Sequence, residues 1–189
     1  MTIKKSLFIA AFMLLATTMA NAAKKTIYKP WSNGKLKVSA NQRYLIHENG
    51  TPFFWLGNTA WLLPERLNRD EAEYFLAKER ELGYNVEQIQ VLNAIPTFNV
   101  YGQQANNKEF DFSKVSKPGV YGYWEHLDYI IDRAADNGIY IAMDCIWGSM
   151  IGQMDVKKAV AYGKFLGERY KDKPNIIWMI GGDILGDKS

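Results

Sequence analysis

Short apolar runs alternate with amphipathic segments along most of this chain, and that alternation limits the fold more than any other feature. The runs are "FFWL", "YNVEQIQVL", "IYIAMDCIW" and "NIIWMI". Each has the length of a strand, and "IYIAMDCIW" has the continuous apolar character of one buried on both faces. Strands of that kind, separated by helices, form a parallel sheet covered by its helices.

The helical segments carry their own start and stop signals. Asn68, with Glu71 three residues on, is a capping-box pattern, and Ala72, Phe75, Leu76 and Leu82 then fall on one face. Gly83 is the stop. A second helix is predicted over about 121–137, with Trp124, Leu127, Ile131 and Ala134 inward and Gly138 at its end. Asp155 caps a third, for which Val156, Val160, Leu166 and Tyr170 supply the inner face, and Pro174 punctuates its end. Ahead of these, "RYLIHENGTPFFWLG" is a predicted β-hairpin turning at Asn49-Gly50. The sequon Asn49-Gly50-Thr51 is explained by that turn. A long loop fills 93–118.

Two architectures fit this order: a doubly wound open sheet and a (β/α)8 barrel. A nucleotide-binding doubly wound fold carries a glycine-rich turn after its first strand, and "WLGNTAW" has one glycine. A barrel keeps its chemistry at the C-terminal ends of its strands. There this sequence turns polar and aromatic, at Asn58 and Trp61, Gln90 and Asn93, Trp147, and Asp183. The expected fold is therefore α/β, the N-terminal half of a (β/α)8 TIM barrel preceded by a β-hairpin, over residues 35–189. Residues 23–34 are a linker.

Residues 1–22 have the layout of a secretory signal: Lys4 and Lys5, an apolar stretch, then Ala20-Asn21-Ala22. The stretch is short for a membrane span. The expected location is secreted or periplasmic, with no membrane contact after cleavage. Removing the two lysines lowers the formal charge from +3 to +1, and no basic block remains to suggest nucleic acid. Cys145 is the single cysteine, set in an apolar run, and reads as core. His47 and His126 have no metal-ligand spacing, so neither metal nor cofactor is expected.

The main candidate for chemistry is Asp183. A strand running into Gly181-Gly182 lets the backbone turn sharply and leaves room for a ligand beside the acid. A carboxyl there can donate a proton to a leaving oxygen, or it can simply order the loop. Trp61, Tyr101 and Trp147 are flat faces for a sugar ring, or caps on the core. Gln88 is expected to point into the barrel mouth. Candidates for a second carboxyl are weak: Asp187 is in the tail, Asp144 could turn either way, and Glu87 sits mid-strand. Unpaired burial of Glu87 would be costly. It is expected to reach solvent or to pair with a Lys or Arg, or else it marks a relaxed sequence.

The segments "IIWMIGGD", "FFWLGNTAWLLPERLNRDEAEYFLAKERELGYNVEQIQVL", "NVYG" and "IAMDCIWG" together resemble the apiosidase-like glycoside hydrolases, secreted bacterial (β/α)8 enzymes acting on plant pectin. The resemblance runs from about Lys35 to Asp183. It implies that Asp183 is the catalytic acid/base and that the substrate is an oligosaccharide or polysaccharide. It also implies a Glu nucleophile on a later strand, so the chain is expected to stop before its second catalytic carboxylate. Four strands of a barrel leave two open edges, which makes self-association a further expectation. Two positions depart from the family pattern. Asn58 stands where the family usually shows Asp, and as a substrate-binding candidate it can still bond a sugar hydroxyl. Glu87 stands where relatives tend to be apolar. A non-catalytic carbohydrate-binding or structural role is the alternative reading.

Overall fold

The computed structural model describes residues 26–107, 109–112, 115 and 118–183. Residues 1–22, expected to be a signal segment, and Asp187 lie outside the described residues. Chain order is β1 (Leu36–Val38), β2 (Leu45–His47), β3 (Pro52–Phe53), β4 (Gly57–Thr59), α1 (Leu63–Arg66), α2 (Arg69–Leu82), β5 (Val86–Gln90), α3 (Tyr123–Asp136), β6 (Tyr140–Asp144), α4 (Val156–Tyr170) and β7 (Ile176–Met179).

Strands β1, β2 and β3 form a small antiparallel sheet in that order. The hairpin turn is longer than a two-residue loop. Leu45 pairs with Phe53 and Ile46 with Pro52, and the His47 N–H donates to the Thr51 carbonyl. Three residues, Glu48 to Gly50, therefore make the loop, with Gly50 at φ +89°, a conformation that suits glycine.

The second sheet is parallel, in the order β4-β5-β6-β7. Each strand pairs with its successor in sequence, as in a barrel. Its two faces differ. Ile89, Ile141 and Met143 pack into one large core with Ala72 and Leu76 of α2, Trp124, Leu127, Ile130, Ile131 and Ala134 of α3, and Tyr162, Leu166 and Tyr170 of α4. The alternate residues Val86, Tyr140 and Ala142 join a smaller core with Phe53, to which Trp31, Leu36, Leu45, Ile177 and Met179 are packed. Helices thus cover one face only, and the antiparallel sheet plugs the N-terminal end of the other. Trp31 and Phe53 meet Tyr140, the first residue of β6, edge-on. This is the first four-strand sector of a (β/α)8 barrel, with its C-terminal strand ends left open.

Three local expectations are corrected. The run "FFWL" is not the first parallel strand. Phe53 belongs to the antiparallel sheet, Phe54 is exposed, and Gly57–Thr59 pairs with Val86–Gln88 instead. Leu82 is exposed because it lies roughly 80° round the helix from Ala72. On α4, Val156 and Val160 are exposed while Tyr162, Leu166 and Tyr170 turn inward. Val160 sits roughly 160° from Tyr162. Arg169 fixes this rotation by pairing with Asp128 of α3 at 2.5 Å and with Glu125 at 3.4 Å.

The capping box is present in full. The Asn68 side chain accepts from the Asp70 and Glu71 N–H groups, and the Glu71 carboxylate accepts from the Asn68 N–H. Asn68→Ala is expected to lower stability by about 1 kcal/mol in urea unfolding. A variant indistinguishable from the parent would show that α2 does not depend on its cap.

Candidate active site at the C-terminal strand ends

The chain leaves β7 through Ile180 and reaches Gly181, whose φ of +84° favours glycine. Gly182 follows, then Asp183, which is exposed. Gly182 is needed for a different reason. A Cβ built on it would lie 2.2 Å from Cε3 of Trp147, so the indole rests directly against the bare backbone. The fit is reciprocal, since a Cβ on Gly148 would lie 3.0 Å from the Asp183 carbonyl oxygen. The loops after β6 and β7 interlock through small residues, and that contact fixes the Asp183 backbone.

The other two strands feed into the same place. The Trp147 N–H donates to the Leu92 carbonyl beyond β5, and the Gln90 N–H donates to the Trp61 carbonyl beyond β4. Trp61 and Trp147 meet edge-on with ring centroids 6.0 Å apart. Trp61, Trp147 and Asp183 are thus brought together by loops from three strands. Gly182→Ala is expected to displace the Trp147 ring and to cost about 1–3 kcal/mol by overpacking. Near-ultraviolet circular dichroism reads the ring's environment, and a spectrum identical to the parent's would refute this contact.

Asp144 joins this site, although its direction is not evident in the run "IAMDCIW". It ends β6 in register with Gln90 on one side and Met179 on the other. It alternates with Ala142 and Tyr140 and so points to the inner face. The residue is wholly buried, and neither carboxyl oxygen makes a hydrogen bond of ordinary geometry. Burial raises its pKa to about 6; the nearby Ile146 N–H opposes the rise and the Asp183 charge adds to it. The alternation of β6 is the sequence signal for this placement.

The remaining candidates scatter. Asn58 turns away from the mouth: its amide donates to Glu79 of α2 at 3.0 Å on the helix-covered face. Gln88 is half-buried on the inner face, in register with Thr59 and Ala142, one layer below Gln90. Tyr101 is built into the junction of α2 and α3. Its hydroxyl accepts from the Arg69 N–H, and its ring meets Tyr121 and His126 edge-on. Glu87 neither reaches solvent nor pairs with a cation. It is wholly buried beside Glu79, and burial followed by the Glu79 charge pushes its pKa to about 8.

Burial likewise raises the Cys145 thiol to about 11, which makes it a poor nucleophile. His126 is held between the Tyr121 hydroxyl and the Leu67 carbonyl. Among the described residues no three His, Cys, Asp or Glu side chains are grouped to hold a metal ion.

A family model described as the apiosidase-like catalytic domain matches residues 39–189. Two solved structures are close in sequence. One, described as a glycoside hydrolase, is 63% identical with a TM-score of 0.81, and the match covers 85% of this chain and 37% of that one. The other, a glycoside hydrolase family 5 from Bacteroides vulgatus ATCC 8482, is 61% identical with a TM-score of 0.82, covering 85% and 35%. The endo-1,4-β-mannanase from Rhizomucor miehei, at 14% identity and a TM-score of 0.56, shares the fold alone; that match covers 80% of this chain and 50% of the mannanase. The chain thus spans a little over a third of the first two structures. No curated protein matches it.

Proposed function

This chain belongs to the apiosidase-like catalytic domain family of glycoside hydrolases, and from that premise we propose that it supplies the acid/base side of a site that hydrolyses glycosidic bonds in pectic polysaccharide. The observation that carries the reading is the placement of Asp183. It is an exposed carboxyl on a Gly-Gly turn at a C-terminal strand end, beside the Trp61–Trp147 pair. A glycosidic oxygen leaves more easily when a carboxylic acid protonates it, and the tryptophan faces suit the apolar side of a sugar ring.

Hydrolysis takes two carboxyl groups flanking the bond, about 5–5.5 Å apart in retaining and 6.5–9.5 Å apart in inverting enzymes. The family resemblance assigns the second to a Glu on a strand after β7, outside residues 1–189. In a retaining mechanism Asp183 first protonates the leaving oxygen and then takes a proton from the incoming water. The resemblance also points to a bond involving apiose, and the first 22 residues to a secreted or periplasmic protein.

The test uses the full product of the reading frame containing residues 1–189, whatever its length. Pectic oligosaccharides, mannan and cellulose are offered in turn and new reducing ends are counted. Release from pectic substrate is expected. Release only from mannan or cellulose, or none at all, overturns the assignment. The tryptophan pair also favours a second reading, sugar binding without cleavage. Calorimetric binding of pectic oligosaccharide that survives Asp183→Asn, with no hydrolysis by the parent, would establish it.

A further inference from the structure

A buried amide in a folded protein is ordinarily met by partners, because leaving it unpaired is costly. Gln90 departs from that pattern. It is 5% exposed at the C-terminal end of β5, and among the described residues its carboxamide makes no hydrogen bond. Asp144, its register partner on β6, does not serve it, since neither Asp144 oxygen accepts a hydrogen bond of ordinary geometry. The Gln90 amide also keeps access to solvent, whereas the Asp144 oxygens are closed off. The strand fixes its direction. Val86, Gln88 and Gln90 alternate with Glu87 and Ile89, and Val86 lies in the inner core while Ile89 lies in the helix-covered one. Gln90 is the last inward residue of β5; Gln88 is one layer deeper, in register with Thr59 and Ala142. Both tryptophan loops are tied to β5 at this end. The Gln90 N–H donates to the Trp61 carbonyl at 2.8 Å, and the Trp147 N–H donates to the Leu92 carbonyl at 2.9 Å.

We infer that Gln90 is a substrate-binding residue whose carboxamide holds adjacent hydroxyls of the sugar ring lying against the Trp61–Trp147 pair. The inference rests on the reading of this strand-end mouth as a sugar site. A carboxamide donates through its nitrogen and accepts through its oxygen, side by side. Each hydroxyl of a sugar diol can do either, so one amide meets both. The indole faces supply apolar area, and the amide adds direction. Having no partner within the fold, it can bond a ligand without first giving up a bond. A site built to bond a hydroxyl also rejects a ligand that lacks it, so Gln90 selects for a diol at that ring. It takes no part in bond breaking or proton transfer.

The experiment compares the full product of the reading frame with its Gln90→Leu variant. Leucine is close in size and bonds nothing. In urea unfolding the variant is expected to be at least as stable as the parent, because no hydrogen bond within the fold is lost and a buried polar group is removed. Calorimetry with pectic oligosaccharide, in the Asp183→Asn background so that nothing is cleaved, is expected to show a Kd raised roughly tenfold or more. Unchanged affinity, whatever the stability, overturns the proposal. If the variant binds weakly but is also destabilised, or does not fold, the parent side chain decides. With glutamine side-chain nitrogens isotope-labelled, the Gln90 amide signal should shift as oligosaccharide is added and saturate at the calorimetric Kd. A signal that stays in place while sugar binds refutes the contact. Mannan and cellulose oligosaccharides are titrated in the same way. A shift caused only by these overturns the pectic assignment and leaves Gln90 a sugar-binding residue. Hydrolysis of pectic substrate with no shift overturns only this inference, and binding of no sugar at all overturns both.

Discussion

Asp183→Asn is expected to slow hydrolysis of pectic oligosaccharides by roughly 10²–10⁴-fold, mostly in kcat. The amide matches the carboxyl in shape and still accepts a hydrogen bond, so substrate can be held much as before. What it cannot do is give up a proton to the departing sugar oxygen. The loss should therefore depend on the leaving group. An aryl glycoside with an acidic phenol departs without protonation, so the variant's kcat/KM for it, which reports the bond-breaking step, should fall far less than for a sugar–sugar bond. The backbone at this position is held by the Gly182–Trp147 and Gly148–Asp183 contacts, neither of which uses the side chain. A variant that retains parental kcat on the oligosaccharide would remove Asp183 from the acid role. Equal loss of kcat/KM on both substrates would point to a role in binding or folding instead.

The sheet and the site were unequally legible in the sequence. Strand β6 is an apolar run buried on both faces, β5 and β7 are less apolar or less buried but still legible as strands, and α2 declares its ends through Asn68, Glu71 and Gly83. Strand β4 does not announce itself. Gly57-Asn58-Thr59 has weak strand propensity and exists because it pairs with Val86–Gln88. Taking "FFWL" as the first parallel strand puts Asn58 in a loop facing ligand. Pairing it with Glu87 turns the same side chain beneath α2. Asp144 is hidden for the opposite reason: both faces of β6 are apolar, so alternation separates its neighbours only once the two cores are distinguished. The Trp147–Gly182 contact joins loops from different strands, and no local pattern encodes it. Tyr101 lies in the long loop, where a hydroxyl bonded to the Arg69 N–H decides its place and strand logic is silent.

Glu87→Gln is expected to flatten the pH dependence of stability and to make the protein more stable than its parent at pH 8 by several kcal/mol. Glu87 lies wholly buried on the helix-covered face of β5, and burial, then the Glu79 charge, then a hydrogen bond to Glu79 raise its pKa from 4.5 to about 8. Below about pH 4.5 the folded and unfolded chains both hold this proton. Between there and about pH 8 the folded chain keeps it and the unfolded chain has released it, so stability falls as pH rises. At about 1.4 kcal/mol per unit, the whole span is worth at most roughly 5 kcal/mol. Glutamine has no proton to hold, so parent and variant should converge near pH 4.5 and separate progressively to pH 8 in urea unfolding. Parallel curves would show that Glu87 ionises normally. The two positions expected to depart from the family pattern meet here, because Asn58 and Glu87 are register partners and Asn58 donates to Glu79. An aspartate at position 58 would put a third carboxyl against Glu79 and Glu87, whereas the asparagine supplies a donor. By this argument Asn58→Asp should destabilise the parent more than it destabilises Glu87→Gln, and equal effects in the two backgrounds would dissolve the link.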